Sequence, residues 1–413
     1  MKMKQMKKFS NSKNSLTAIG ILSISLITTS TYAINGTLPM IRSELNLTQA
    51  QVETLVTVPS FALALLVLFS SLISTKIGER LTVNIGVGII GLTGIIPFLT
   101  ENYPLILISR VFLGAGIGMI NSLAVSLIAS YFKEKTAATL LGFRASIEQV
   151  GQAFLTFIAG LLMNISWQAP FLVYLITIPI LLMFNLFVPK EHKKVGDDKN
   201  GKEIDSEQSL DKRENSKISP IVWLLAILMA ILVADYIGMQ VRFAQIATNI
   251  ISKDYNASPF MSVMLIIAMI GGILFGRFYQ LMKFKLIYFS LALFAISNFI
   301  VANSHKSLPV LIFGFILIGF PLQLISPLAF HLLPKLAPGN KQTFVTSVIL
   351  IGFNVGVFVE PYLFIITDKI FGIRNNLSSI FNYFAWLFLI IACLIAVTHF
   401  FFSANKKRMP KHS

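Results

Sequence analysis

The sequence has one cysteine and few charged residues. Cys393 is the only cysteine among 413 residues, which excludes an intrachain disulfide and a metal site built on cysteines. Charged residues make up 13% of the chain, whereas hydrophobic residues make up 55%, with a mean hydropathy of +0.76. Because globular domains average about 25% charged residues, this composition predicts a chain that lies mostly in a lipid bilayer.

Signatures of catalysis are also missing. The sequence shows no Ser-His-Asp spacing, no cluster of metal ligands and no glycine-rich loop of the kind that cradles the phosphates of ATP. We therefore expect a protein that is not an enzyme, has no catalytic residues, and needs no metal or other cofactor. Any work it does must draw on an ion gradient or on the gradient of its substrate.

The apolar residues form runs long enough to cross a bilayer. About 20 residues span the hydrocarbon core as an α-helix, and we count twelve such runs. The predicted spans are 16–38, 51–73, 82–100, 104–132, 137–162, 168–188, 220–246, 259–281, 285–303, 308–333, 343–366 and 377–402. The sequence thus predicts an all-α membrane protein with twelve transmembrane helices.

Acidic residues are scarce, with 18 Asp and Glu against 34 Lys and Arg and a net charge of +16. If both termini lie on the same side of the membrane, the tails and loops on that side together carry the whole net charge of +16. Since cytoplasmic loops are enriched in Lys and Arg, we expect both termini in the cytoplasm and the protein in a bacterial plasma membrane. No basic excess remains to indicate a nucleic-acid partner. A cleavable signal peptide in the first 33 residues is an alternative that would leave eleven spans.

A polar segment at 190–219 divides the chain into residues 1–189 and 220–413. Its many charges and few apolar side chains are typical of a disordered cytoplasmic linker. Each part has six predicted spans, and transporters built from repeats place their substrate site near the midplane where the halves meet. We therefore expect two six-helix bundles around a cavity lined by the first, fourth, seventh and tenth spans.

The fifth span carries a polar stripe. At about 100° per residue, Arg144, Glu148 and Gln152 lie on one helical face, and the small residues Ala153 and Gly160 lie nearly opposite. An Arg at the bilayer centre costs about 3 kcal/mol or more, so it should face protein or a water-filled path. Two interpretations are open, namely an internal Arg144–Glu148 salt bridge and a role in binding substrate or protons.

Two segments resemble the major facilitator superfamily. Residues 38–48 read Leu-Pro followed by a Glu-Leu-x-Leu-Thr turn, which is frequent at the end of the family's first span. The fourth span begins with Arg110-x-x-Leu-Gly114-x-Gly116, which is similar to the family's Arg-x-x-Gln-Gly-x-Gly motif. The resemblance implies the fold and transport activity of that family, and it implies that Arg110 handles protons or substrate. Asn121 shares the Arg110 stripe; an Arg that snorkels to the interface is the alternative.

Two further segments match the family only in part. The loop at 71–80 keeps Lys76, Gly78 and Arg80 of the family's conformation-controlling loop but lacks its usual Asp, and a basic loop held by lipid headgroups would explain the same charges. The fifth span keeps the Gly142 and Gly151 spacing of proton-antiporting exporters without their Gly-Pro pair. The second resemblance implies export.

Three acidic residues inside spans are candidates for proton coupling. An acid in a low-dielectric site without a nearby base takes up a proton readily, which favours Asp235 in the seventh span. Glu148 ranks second, because Arg144 lies one turn away and would hold the Glu148 carboxylate ionised. Glu360 in the eleventh span ranks third. Arg242 shares the face of Asp235 about 10.5 Å along the axis, which is too far for direct pairing.

The tenth span contains two prolines that free backbone carbonyls near Gln323 and Ser326. The predicted substrate-cavity residues are Arg110, Asn121, Arg144, Gln152, Arg242, Gln323 and Ser326.

Together these features predict a monomeric secondary transporter whose partners are a small organic molecule, protons and the lipid bilayer. Proton-coupled export is the first interpretation, and uptake of a small organic anion by symport or exchange is the alternative. A membrane sensor that does not transport would need a folded soluble domain, for which the segment 190–219 is too short and too polar.

Overall fold

The computed structural model describes residues 15–132, 134–189, 220–252, 255–304, 307–336, 342–372 and 377–408. The predicted linker 190–219 and the two ends of the chain lie outside these residues. Within the described ranges the regular elements are α-helices and short 3-10 helices, without strands. The all-α fold class is therefore confirmed.

The first half of the chain contains α1 to α7. These helices cover 15–24 (α1), Leu38–Glu44 (α2), Gln49–Ile77 (α3), Glu79–Leu99 (α4), Tyr103–Tyr131 (α5), Glu134–Leu162 (α6) and Thr177–Phe187 (α7). Three 3-10 turns join α1 to α2, namely Ser25–Ile27, Ser30–Tyr32 and Asn35–Thr37, and a 3-10 segment at Ala169–Ile176 leads into α7. The first and sixth spans are therefore irregular, which the sequence analysis did not predict.

The second half contains α8 to α13. These helices cover Ile221–Ile250 (α8), Ser258–Met282 (α9), Leu286–Ala302 (α10), Leu308–Leu336 (α11), Gln342–Phe371 (α12) and Ile380–Arg408 (α13). Eleven described stretches are long and apolar enough to cross a membrane, and the one at Ser258–Ala302 holds both α9 and α10. The chain reverses between those two helices at Lys283, where φ is +49°. The twelve predicted spans are thus confirmed.

The helices pack as two bundles, which we call the N-terminal bundle (α1–α7) and the C-terminal bundle (α8–α13). Glycine lets backbones touch inside each bundle. A Cβ added to Gly114 of α5 would lie 2.1 Å from the Pro59 carbonyl oxygen of α3, and one added to Gly356 of α12 would lie 2.3 Å from the Ala230 carbonyl oxygen of α8. In lipid, such close van der Waals packing holds helices together.

The two ends of the paired bundles differ. Glu53 near the start of α3 contacts Arg242 near the end of α8, so the end of α3 and the start of α8 lie together, away from this pair. Arg80, just after α3, contacts the end of α7, and we call this end of the molecule the linker end. The opposite end, the closed end, contains the polar contacts between the bundles described below. The bundles meet along α3 with α12 and α6 with α9.

Candidate functional site

Hydrogen bonds join the two bundles at the closed end. The Asn256 side chain donates to the Gly160 carbonyl oxygen at 2.8 Å, and the Ser262 hydroxyl donates to the Ala153 carbonyl oxygen at 2.9 Å. Both donors come from the C-terminal bundle and both acceptors from α6. The small residues Ala153 and Gly160 therefore lie where the other bundle approaches.

Ser258, the first residue of α9, fits against two glycines of the N-terminal bundle. A Cβ on Gly36 would lie 2.0 Å from the Ser258 hydroxyl oxygen, and a Cβ on Gly160 would lie 2.4 Å from the Ser258 Cβ. Real Cβ atoms do not approach other atoms this closely, so this contact requires glycine at both positions. Ser258 is completely buried, and the bundles are therefore in dry contact here.

An ion cluster also crosses the closed end. Arg242 Nε of α8 donates to Glu53 Oε1 of α3 at 2.7 Å, and its Nη2 lies 3.5 Å from Oε2. On α12, Asp368 Oδ2 lies 3.8 Å from Arg242 Nη1, and the Phe364 ring centre lies 4.3 Å from the guanidinium carbon. The Arg242 and Glu53 side chains are only 2% and 0% exposed. This pair therefore joins the bundles without access to water.

Glu360 of α12 lies beside the ion cluster without a hydrogen-bond donor of its own. Its side chain is completely buried, and neither carboxyl oxygen has a partner in the described part of the chain. A Cβ on Gly238 of α8 would lie 2.9 Å from Glu360 Oε1, so the missing side chain of Gly238 makes room for the carboxyl group. Its charged neighbours are Glu53 and Arg242. The cluster thus contains three carboxyl groups and one guanidinium group.

The Arg144–Glu148 salt bridge is present about halfway along α6. Arg144 Nη2 lies 2.6 Å from Glu148 Oε1, and the two side chains are 15% and 19% exposed. Arg144 also donates to the Asn121 side-chain oxygen of α5, and the Thr28 hydroxyl donates to Glu148 Oε1 at 3.1 Å. The internal pair is therefore one node of a polar network that includes α5 and the irregular first span.

The remaining predicted cavity residues lie on both bundles. Gln152 of α6 is buried, and its amide donates to the Gln240 side-chain oxygen of α8 at 3.4 Å. Gln323 and Ser326 are half-buried on α11, where Gln323 packs against α9 at Gly271. Of these three residues, only Gln152 makes a hydrogen bond across the bundles among the described contacts.

Arg110 is completely buried inside the N-terminal bundle. Its guanidinium group donates to the carbonyl oxygens of Leu55 at 3.2 Å and Thr31 at 3.1 Å, and to the Tyr174 hydroxyl at 2.9 Å. The Tyr174 hydroxyl in turn donates to the Ser30 carbonyl oxygen at 2.9 Å. Arg110 therefore binds the 3-10 part of the first span, and it is not an arginine that extends to the interface.

Asp235 is completely buried inside the C-terminal bundle. The Asn298 amide of α10 donates to Asp235 Oδ2 at 2.8 Å, and Oδ1 has no partner among the described residues. Arg242 lies two turns farther along α8, where it pairs with Glu53. The structure therefore does not bring Asp235 into the ion cluster.

The predicted conformational loop lies at the linker end. Gly78 adopts φ of +87° between α3 and α4, a value that glycine tolerates best. Arg80 donates to the carbonyl oxygens of Val188 and Asn185 at the end of α7, and Lys76 is exposed. The described contacts of Arg80 thus stay within the N-terminal bundle.

Glu53 was not among the predicted site residues, although the predicted second span 51–73 contains it. A signal was present nearby, because Thr48 and Gln51 form a capping box that fixes the start of α3. Thr-x-x-Gln before an apolar run is typical of a helix start, and it places Glu53 inside the second span. The roles of Tyr174 and Asn298 had no comparable local signal.

Comparisons with known proteins agree with this architecture. The sequence profile of the Major Facilitator Superfamily matches residues 20–285, and a profile described as sugar (and other) transporter matches residues 238–404. The chain therefore belongs to the major facilitator superfamily. The quinolone resistance protein NorA of Staphylococcus aureus (strain MRSA252) is 25% identical over 340 residues, which cover 79% of this chain and 83% of NorA.

Several solved structures share the fold. The xylose transporter XylE from E. coli in an inward open conformation has a TM-score of 0.70 at 15% identity, over 92% of this chain and 95% of XylE. The nucleoside transporter NupG has a TM-score of 0.70 at 11% identity, over 93% and 99% of the two chains. A D-xylose-proton symporter has a TM-score of 0.70 at 13% identity, over 93% and 95%. The predicted architecture of two six-helix bundles is confirmed.

Proposed function

We propose that this protein moves a small organic molecule across a bacterial plasma membrane by alternating access, coupled to protons. The observation that carries the proposal is the difference between the two ends. Ser258 against Gly36 and Gly160 closes one end, whereas the Arg144–Glu148 pair nearer the other end keeps partial exposure. A polar site beyond a closed end is suited to face one side of the membrane at a time.

Export is the direction that the observations favour. The relative NorA is named a quinolone resistance protein, and the fifth span keeps part of the exporter motif. Uptake of a small organic anion is the second candidate, because the similar solved structures include a sugar-proton symporter. The anion interpretation was based on three arginines inside the spans, which could bind a negatively charged substrate. However, Arg110 binds carbonyl oxygens inside its own bundle and Arg242 binds Glu53. Only Arg144 remains partly exposed, which weakens the anion interpretation.

Proton coupling is proposed to use the acidic residues inside the spans. The contacts favour Glu360 as the proton-coupling residue, ahead of Glu148 and Asp235, which reverses the order expected from sequence. Glu360 lies beside the Arg242–Glu53 pair that joins the two bundles, so its ionisation acts directly on a contact that must break during transport. Asp235 bonds to Asn298 within one bundle.

Orientation follows from the charge distribution of the sequence. With both termini in the cytoplasm, the linker end faces the cytoplasm and the closed end faces outward. The protein then has its cavity directed inward, and XylE in an inward open conformation is similar in fold. We propose that a monomer is the functional unit.

Transport in oriented vesicles tests the proposal. Inside-out and right-side-out vesicles are given an imposed pH gradient and a panel of drugs and organic anions. We expect uphill accumulation of an organic compound in inside-out vesicles when their interior is acidic, and loss of it in Glu148→Gln. Glu44→Gln, which changes an exposed acid, is the matched control. Accumulation only in right-side-out vesicles would contradict export, and flux indifferent to the pH gradient would contradict proton coupling.

A further inference from the structure

The ion cluster at the closed end has more carboxyl groups than its guanidinium group can neutralise. Arg242 donates to Glu53, and Asp368 is 31% exposed, so water can solvate the Asp368 carboxylate. Glu360 has neither an arginine donor nor water, because it is completely buried and both carboxyl oxygens lack a donor among the described residues. An ionised carboxylate in such surroundings is strongly disfavoured.

We propose that Glu360 holds a proton whenever the closed end is closed, so that Glu53, Arg242 and Glu360 form one proton-binding site shared by the two bundles. The inference rests on the proposed function and deepens it, because it names the place where a coupled proton is held. The charged side chains at this site are Arg242 from α8, Glu53 from α3, and Asp368 from the same helix as Glu360. Arg242 neutralises Glu53 and water can solvate Asp368, so Glu360 is the carboxyl group of the three that takes up a proton.

The site is built so that opening changes the partner of Arg242. Helices α8 and α12 are in backbone contact at Ala230 and Gly356, so Arg242 and Glu360 stay together when the bundles separate. Glu53 belongs to the other bundle and leaves. Arg242 then has Glu360 as the buried carboxyl group of its own bundle, and an ionised Glu360 replaces Glu53 as its partner. The Glu360 carboxyl group loses its proton to water on opening and regains one on closing.

This exchange sets the sign of the pH dependence. Because closing takes up one proton, acidic conditions favour the closed end and alkaline conditions favour its opening. For one proton, the ratio of closed to open molecules changes by at most about tenfold per pH unit. The change occurs over the range in which Glu360 is ionised in open molecules and protonated in closed ones.

A distance measurement across the closed end tests the proposal without substrate. Spin labels on Ser43→Cys at the end of α2 and Ser252→Cys after α8, in a Cys393→Ser background, report separation by double electron–electron resonance in nanodiscs. Both positions are exposed. We expect the short distance to gain population as pH falls. Glu360→Gln mimics the protonated acid, so it should stay closed at every pH and lose the pH dependence.

Further variants separate this site from its alternatives. Glu53→Gln should open the closed end and also lose the pH dependence, because Arg242 then pairs with Glu360 in both states. Glu44→Gln, an exposed acid at the same end, should keep the wild-type response. An unchanged pH response in Glu360→Gln overturns the proposal, and if that variant does not fold, an unchanged response in Glu53→Gln does so.

The same labels distinguish this inference from the proposed function. A pH-dependent distance in a protein that accumulates no compound in vesicles would support the proton site and reject coupled transport. Coupled transport in vesicles together with a distance that ignores pH would support the transporter and reject the proton site.

Discussion

Arg110 and Arg242 are both buried cations in the membrane, but their partners differ in kind. Arg110 binds two backbone carbonyl oxygens and a tyrosine hydroxyl, all within the N-terminal bundle. Arg242 binds the carboxylate of Glu53 across the gap between the bundles. A carbonyl oxygen of the same bundle neither titrates nor departs, whereas a carboxylate on the other bundle can do both. The interior of a bundle is therefore held permanently, and the contact between bundles is exchangeable.

The glycine contacts show the same difference. Inside the bundles, Gly114 and Gly356 lie against backbone carbonyl oxygens of neighbouring helices. Between the bundles, Gly36 and Gly160 lie against the side chain of Ser258. A backbone contact cannot yield unless a whole helix shifts, but a bundle can move off one small side chain as a rigid body. Transport by alternating access needs this combination of rigid bundles and a separable contact.

Replacing Arg110 should have the largest effect. Arg110→Met leaves three buried acceptors unpaired, at about 1–3 kcal/mol each, so we expect severe loss of folded protein. Arg110→Lys should recover only part of it, because one ammonium group cannot reproduce the geometry of a guanidinium group. The measurement is unfolding temperature and yield in detergent. Arg277→Met, at an exposed arginine, is the control. If Arg110→Met and Arg277→Met are equally stable, the Arg110 contacts do not hold the N-terminal bundle together and the comparison with Arg242 fails.

Enlarging a glycine should act differently inside and between the bundles. Gly114→Ala forces a Cβ into a backbone, and overpacking costs about 1–3 kcal/mol of folding stability. Gly36→Ala meets the Ser258 hydroxyl instead, so we expect a folded protein whose closed end opens, measured by the label distance. The added substitution Ser258→Gly should restore closure. Gly88→Ala, where a Cβ meets nothing within 4 Å, should change neither property; a Gly36→Ala protein that stays closed would contradict the prediction.

The Arg144–Glu148 pair should show an intermediate effect, because it is internal but partly exposed. Losing one partner of a fully buried pair costs about 3–5 kcal/mol, and partial exposure should reduce this for Arg144→Gln or Glu148→Gln. The double variant should recover most of the stability, since no uncompensated charge remains. Unfolding temperature and vesicle transport are measured together. A stable double variant that does not transport would assign the pair to function, and full transport would make it structural.

Asp235→Asn should have the smallest effect on closure, because Asn298 can also donate to an amide oxygen and no contact between bundles is touched. We expect an unchanged pH response of the label distance and an unchanged unfolding temperature. The vesicle assay sharpens the comparison. If Asp235→Asn abolishes accumulation driven by a pH gradient and keeps downhill flux, then the coupling proton is held inside a bundle and not at the contact between bundles.

Much of the fold follows from local properties of the sequence. Helix α8 was expected at 220–246 and covers Ile221–Ile250, because a long apolar run that must satisfy its backbone in lipid can only be a helix. The 3-10 turns of the first span could not be predicted from its local apolar run. Their carbonyl oxygens are stabilised by Arg110 and Tyr174, which come from distant parts of the chain.

The sequence by itself determined the twelve spans, the resemblance to the superfamily and the one-turn spacing of Arg144 and Glu148, since each depends on composition, a linear motif or neighbours one turn apart. Only the tertiary structure decided that Arg242 binds Glu53, which is 189 positions away in the chain, and that Glu360 lies beside them. Helical periodicity gives the face on which a side chain lies, but not which helix meets that face. In a protein of two bundles, the helix that meets each face decides which charges become partners, because water is excluded only where the helices meet.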